Sequence, residues 1–271
     1  MARVGAHRSE TSRNEQNKMT TIVMVHGAFC GGWVFDRFRT PFEAAGYTVI
    51  TPDLRGHGAA DHAQAVVNLS MKDYVADIAA LCASLPEPPV LLGHSMGGLV
   101  AQLAARRAAI GALVLLAPSP PWGVASSSIE EAVTAFGVQM MGSFSSGAME
   151  PDPSLMRLYS LDRMPHGERD AVLTRLRAES GLAVRETLNW WLDPFMTTSV
   201  GSGPLKVPAL VLSGDRDVVH SSATARAVAT RLGSSFAAIP GMSHWLVGES
   251  GWEQVAERSI NWLADAALAT A

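Results

Sequence analysis

Pro89-Val90-Leu91-Leu92-Gly93-His94-Ser95-Met96-Gly97-Gly98 decides how this chain reads. Val90 to Leu92 is a short apolar run, the pattern of a buried strand, and Leu99 to Ala109 is Ala/Leu-rich with Gln102 and Arg106 spaced like the polar side of a helix. Between them Gly93-His94-Ser95-Met96-Gly97 fits Gly-x-Ser-x-Gly, the nucleophile elbow. A strand that turns directly into a helix brings the residues on either side of the Ser close together, so Gly93 and Gly97 have no room for a Cβ. The hydroxyl of Ser95 is pushed out above the strand end, facing the N-terminus of the new helix, whose N–H groups stabilise developing negative charge.

Working outward, the chain is 271 residues long, with 48% hydrophobic residues and a mean hydropathy of +0.14. That length suits one α/β domain with a substantial core, and the apolar content suits a parallel sheet buried on both faces. A net charge of −4 and no basic patch interleaved with aromatics argue against nucleic acid. Two cysteines, Cys30 and Cys82, are too few for a disulfide framework, so a reducing, cytoplasmic setting is expected. No apolar run reaches the ~18–20 residues of a membrane span. Residues 1–18 carry Arg3, Arg8, Arg13 and Lys18 without an apolar stretch, so they read as a disordered arm rather than a secretory signal, with Met19 as an alternative start.

Strand and helix patterns alternate on both sides of the elbow. Thr20 to Val25 is β-rich and ends in His26-Gly27-Ala28-Phe29-Cys30-Gly31-Gly32-Trp33. A helix is expected from Trp33 to Ala45, a strand over Thr48–Thr51, and a helix from Ser70, a plausible N-cap with Asp73 three residues on, to Leu85. Ala112 to Ala117 is a further buried strand, and the rhythm resumes with strands over Val207–Leu212 and Ser235–Ile239 and helices over Ser222–Leu232 and Gly251–Ala267. Between 121 and 204 the rhythm stops. This insert reads as helical segments (Ile129–Met141, Ser154–Leu161, His166–Ser180, Leu182–Trp191) without a convincing strand, rich in Met and aromatics. The expected organisation is a mostly parallel sheet flanked by helices, built from 19–120 and 205–271, with 121–204 as a helical lid whose inner face walls the site.

In such sheets, sites form at the carboxyl ends of the strands. Three candidate catalytic side chains sit there: Ser95, an Asp after the Val207–Leu212 strand (Asp215 or Asp217), and His244 after the last strand. A Ser hydroxyl needs a His to take its proton, and that His needs an anion to hold its tautomer and stabilise the imidazolium. None of the histidines shows a metal-ligand spacing such as His-Glu-x-x-His, so neither a catalytic metal nor a cofactor is expected. His26 and His57 read as packing and turn residues.

From about Met19 to Ala267 the chain resembles the α/β-hydrolase fold with a helical cap, whose triad order is Ser, Asp, His. The resemblance implies that Ser95 is the nucleophile, Asp217 the acid and His244 the base, with the N–H groups of Met96 and Ala28 as the oxyanion hole. The loop from His26 to Trp33 is similar to that of the plant methylesterase and hydroxynitrile lyase branch. The lyases carry a Thr where Gly27 stands and a Lys where Trp245 stands, so both positions favour an esterase-like reading. Ser95 sets the chain apart from the dehalogenases and epoxide hydrolases of this fold, which use an Asp there.

The function this implies is hydrolysis of a carboxylic ester of a small to medium hydrophobic molecule through an acyl-enzyme. The alternatives are a lactonase or C–C bond hydrolase with the same triad, or a receptor-like protein with little turnover. Phe29, Trp122, Met140, Trp190 and Trp245 are the candidate substrate-contacting side chains. Arg157, Arg163, Arg169, Arg175, Arg177 and Arg185 are interleaved with Asp and Glu at helical spacing and read as a solvated face, which leaves an apolar inner wall.

Overall fold

The computed structural model describes residues 20–140, 147–201 and 203–270; the expected N-terminal arm lies outside them. Six strands form one parallel sheet: β1 (Thr20–Val25), β2 (Tyr47–Ile50), β3 (Val90–His94), β4 (Ala112–Leu116), β7 (Ala209–Gly214) and β8 (Ser235–Ile239), in the order β2-β1-β3-β4-β7-β8. β3, which carries the elbow, lies centrally, with Val25 opposite Gly93 on one side and Leu92 opposite Val114 on the other.

Alternation along each strand sorts the core into two layers. Val23, Leu91, Leu113 and Val211 face α2 (Met71–Ser84), α3 (Met96–Ala104) and α7 (Ser222–Leu232), packing on Tyr74, Val75, Leu99 and Val228. Ile22, Leu92, Val114 and Leu212 face the other way, onto Phe38 and Phe42 of α1 (Asp36–Ala44) and Val255 of α8 (Trp252–Thr270). Each of these fully buried side chains stabilises the fold by about 1.5–3 kcal/mol relative to an exposed one. α2 begins as expected: Ser70 and Asp73 form a reciprocal capping box, the Ser70 N–H donating to Asp73 Oδ2 at 2.9 Å.

Between β4 and β7 the insert contributes α4 (Ile129–Met140), α5 (His166–Leu173) and α6 (Gly181–Leu188), with shorter turns over Pro153–Leu155, Met156–Ser160 and Trp190–Leu192. Two expectations need correction here. The insert is not purely helical, because Ala148–Met149 (β5) and Glu179–Ser180 (β6) pair as a short antiparallel ladder. The helix expected to run from His166 to Ser180 stops at Leu173. The Ser180 side chain instead caps α6, accepting from the Ala183 N–H, and the Glu179 carboxylate turns into the core. The elbow helix also starts three residues earlier than its composition suggests, at Met96, since packing holds Gly97 and Gly98 in helical geometry despite their poor propensity. No helix among the described residues is long and apolar enough to cross a membrane.

Candidate active site

Ser95 sits between the last residue of β3 and the first of α3 with φ 54° and ψ −124°, a backbone conformation that a side-chain-bearing residue adopts only under constraint. The constraint is visible. The Ser95 N–H donates to the Leu116 carbonyl at 3.0 Å, and its own carbonyl accepts from Gly98 and Ser119, each at 2.9 Å. A Cβ on Gly93 would lie 2.5 Å from the Gly97 carbonyl oxygen, while one on Gly97 would run into the carbonyls of Val25 and His26. Both glycines are therefore required by close backbone approach, Gly93 within the turn and Gly97 against the end of β1.

The loops after β7 and β8 bring the partners in. Gly214 ends β7 so close to the Met242 and Ser243 carbonyls that a Cβ would collide with them, which locks the two loops together. His244 Nε2 lies 3.0 Å from Ser95 Oγ, and its Nδ1 lies 2.9 Å from Asp217 Oδ2. The other carboxylate oxygen of Asp217 accepts from the N–H groups of Val219 and His220 at 2.8 and 2.9 Å. Burial pushes the Asp217 pKa up, but the facing His244 and these hydrogen bonds outweigh it and hold the carboxyl below its usual range. It is Asp217, not Asp215, that faces the His244 ring; Asp215 accepts from the Gly241 N–H at 2.8 Å and so braces the loop that carries the histidine.

On the opposite side of Ser95, Gly27 lies so near that an added Cβ would be 3.0 Å from Ser95 Cβ. His26 fixes this loop. Its Nε2 accepts from the Leu54 N–H at 2.9 Å, so Nδ1 carries the hydrogen and donates to the Gly27 carbonyl at 2.8 Å. Burial, with His57 nearby, lowers the His26 pKa to about 4, so it stays neutral. The N–H groups of Ala28 and Met96 donate to no protein acceptor among the described residues, and both residues line one cavity with Ser95 and His244.

Behind this loop lies a buried cluster that the sequence did not announce. Glu179, from the insert, accepts from the Tyr74 hydroxyl at 2.6 Å, from the Ser180 N–H at 2.8 Å and from the Phe29 N–H at 3.4 Å, and it lies 3.1 Å from His57 Nε2. Burial opposes charge on both partners, yet their mutual attraction prevails, raising the His57 pKa and lowering that of Glu179. Phe29 adopts φ 64° at this junction. The insert, the loop after β1 and the core thus meet at one buried ion pair.

The cavity over Ser95 has a volume of about 780 Å³ including its mouth. Leu155, Met156, Tyr159, Val184 and Leu188 of the insert line it, together with Phe29 and Trp245. Trp122 and Trp190 are not among its lining residues; their rings pack edge-on against each other at 5.4 Å. The side chain of Met140 lies outside the described residues. None of the six insert arginines lines the cavity. Arg157 pairs with Asp170 at 3.1 Å, and Arg175 covers the Trp33 ring at 4.3 Å. Polar residues that sequence reading passed over also face the cavity: Tyr159, Ser160 and Thr187 of the insert and, from the core, Ser119, just past β4, and His220, three residues after Asp217. For Ser119 and His220, their place after strand ends was the available signal. Among the described residues no group of three or more His, Cys, Asp or Glu is arranged to hold a metal.

The model of a family described as "Alpha/beta hydrolase family" matches residues 22–258. A pyrethroid hydrolase of Sphingobium wenxiniae is 38% identical over 80 residues, a stretch that spans 30% of this chain and only 28% of that protein. A pimeloyl-[acyl-carrier protein] methyl ester esterase of Aromatoleum aromaticum is 27% identical over 239 residues, 78% of this chain and 85% of the relative. Among solved structures, polyneuridine aldehyde esterase superposes with a TM-score of 0.68 at 18% identity, covering 91% of this chain and all of its own (100%), a likeness of fold.

Proposed function

The chain belongs to the alpha/beta hydrolase family, and from that membership we propose that it hydrolyses a carboxylic ester by way of an acyl-enzyme on Ser95. The observation that carries this reading is the unbroken chain from Ser95 Oγ through His244 to the buried Asp217, beside N–H groups of Ala28 and Met96 that find no acceptor among the described residues. Relatives named as a pyrethroid hydrolase and a methyl ester esterase support the reaction class.

His244 Nε2 takes the Ser95 proton as Oγ bonds to the ester carbonyl carbon, and Asp217 stabilises the imidazolium that results. The Ala28 and Met96 N–H groups hold the oxyanion. On collapse the ester C–O bond breaks and His244 hands its proton to the departing alcohol oxygen. Water then attacks the acyl carbon, giving its proton to His244, and the carboxylic acid leaves as Ser95 regains its hydrogen. No step calls for a metal or cofactor.

The insert acts as a lid whose inner wall is mostly apolar, so uncharged esters with a hydrophobic acyl or alcohol part are the proposed substrates. Each substrate methylene buried there contributes up to about 0.8 kcal/mol, nearly fourfold in kcat/KM if realised in the transition state. Buried, unpaired Cys30 and Cys82 support a cytoplasmic setting. The test is kcat/KM for p-nitrophenyl esters from acetate to octanoate, with a dicarboxylic monoester as the charged comparison. A rise to medium chain length, absent in Ser95→Ala, is expected. A preference for the charged ester overturns the substrate class, and undiminished turnover by Ser95→Ala overturns the mechanism.

A further inference from the structure

Within a mostly apolar cavity, Ser119 and His220 form a second serine–histidine pair that the proposed chemistry leaves unused. Ser119 Oγ lies 2.8 Å from His220 Nε2, and both residues line the cavity together with Ser95 and His244. The His220 ring stands 5.4 Å from that of His244, centroid to centroid, and its backbone N–H donates to Asp217. The pair is therefore held by the same loop that positions the triad carboxylate, within reach of a substrate seated on Ser95.

A buried carboxylate lies behind this pair. Glu131 Oε1 lies 3.8 Å from His220 Nδ1. The other carboxylate oxygen of Glu131 accepts from the Thr224 and Ser221 hydroxyls at 2.7 and 3.0 Å and from the Ser127 N–H at 3.2 Å. Burial disfavours charge on Glu131, but His220 and Thr224 outweigh it and keep its pKa below the usual range, so a carboxylate backs the ring. A carboxylate on the Nδ1 side favours the tautomer that carries its hydrogen on Nδ1, which leaves the Nε2 lone pair for Ser119. The Ser119 hydroxyl spends its hydrogen on Nε2, and its own lone pairs are left for the cavity. The Thr187 hydroxyl, by contrast, donates to the Ala183 carbonyl at 2.9 Å, and the His94 Nε2 faces the His244 carbonyl at 2.9 Å; Tyr159 and Ser160 are the other hydroxyl-bearing residues of the insert that line the cavity.

We infer that Ser119, held by His220, is a specificity-determining acceptor for a hydroxyl group on the substrate, so that the enzyme favours hydroxy esters over their deoxy counterparts. This rests on the ester-hydrolase reading. A second Ser–His nucleophile is not implied, since Ser119 follows β4 rather than an elbow. The pair binds a substrate oxygen; it does not replace Ser95.

The experiment measures kcat/KM for p-nitrophenyl butanoate against its 2-hydroxy and 3-hydroxy analogues, and for propyl butanoate against 2-hydroxyethyl butanoate. Each ratio is corrected for the esters' rates of alkaline hydrolysis. In the wild type at least one hydroxy ester should exceed its deoxy partner by about tenfold, and in Ser119→Ala that ratio should fall to within about twofold. His220→Phe, which removes the hold on Ser119, should weaken the preference in the same direction and decides the matter if Ser119→Ala does not fold. A wild type with no preference above twofold, but labelled by a fluorophosphonate at Ser95, overturns this inference and leaves the hydrolase reading standing. A preference that survives both substitutions overturns it too. A folded wild type with neither turnover nor labelling overturns both.

Discussion

Glu249 gives the prediction that runs most against intuition: removing a buried carboxylate five residues past His244 should stabilise the protein. Glu249 is 1% exposed, and its Oε1 accepts from the Ser243 N–H at 2.7 Å. Burial is the main reason its pKa is pushed up to about 7, with Asp162 and Asp217 adding repulsion that the Ser243 bond and His244 only partly offset. Between pH 4.5 and 7 the folded chain keeps a proton that the unfolded chain has released. Its stabilising contribution is complete below pH 4.5 and is lost as pH rises through 7. A rise from 4.5 to about 7 corresponds to a loss of about 3 kcal/mol above pH 8. Glu249→Gln retains an oxygen for the Ser243 N–H but has no charge to bury. Urea unfolding of wild type and variant at pH 4.5 and pH 8 measures the difference. The variant should gain about 2–3 kcal/mol at pH 8 and almost nothing at pH 4.5. A variant equally or less stable than wild type at pH 8 refutes the reasoning and makes the ionised carboxylate a stabilising group.

Asp217→Asn should lower kcat by about 10⁴-fold through loss of the anion that orients His244, whereas Asp215→Asn, which weakens only the brace on Gly241, should cost far less; steady-state kinetics on the two folded variants compares them. Glu179→Ala should destabilise the fold by about 3–5 kcal/mol, because it strands His57 and the Tyr74 hydroxyl in the core. It should also lower kcat more than it raises KM, since the Phe29 backbone beside Ala28 loses its anchor; denaturant unfolding and a kinetic split check both.

The parts of this molecule legible in the sequence are those fixed by short-range rules. Alternation and apolar runs marked the strands, Ser70 and Asp73 marked a helix start, and the two glycines around Ser95 marked a turn that admits no side chain. Local reading left Asp215 and Asp217 open; the family resemblance implied Asp217, and Asp217 is the carboxylate found beside His244. What stayed hidden depends on contacts across long separations. Glu179 lies 122 residues from His57, and His220 lies 101 residues from Ser119. Nothing local distinguishes such residues from a solvated Glu or a loop His. The insert was hardest for the same reason: Trp122 and Trp190 have the composition of a substrate wall, but their rings pack against each other, while the less conspicuous Leu155, Val184 and Leu188 line the cavity.

The central claim, a nucleophilic Ser95 activated by His244, is tested most directly by labelling the folded protein with a fluorophosphonate and locating the adduct by peptide mass spectrometry. A single adduct on the peptide containing Ser95 is predicted, lost in Ser95→Ala and strongly slowed in His244→Ala. An adduct on another serine, or none on a protein that melts cooperatively, would contradict it.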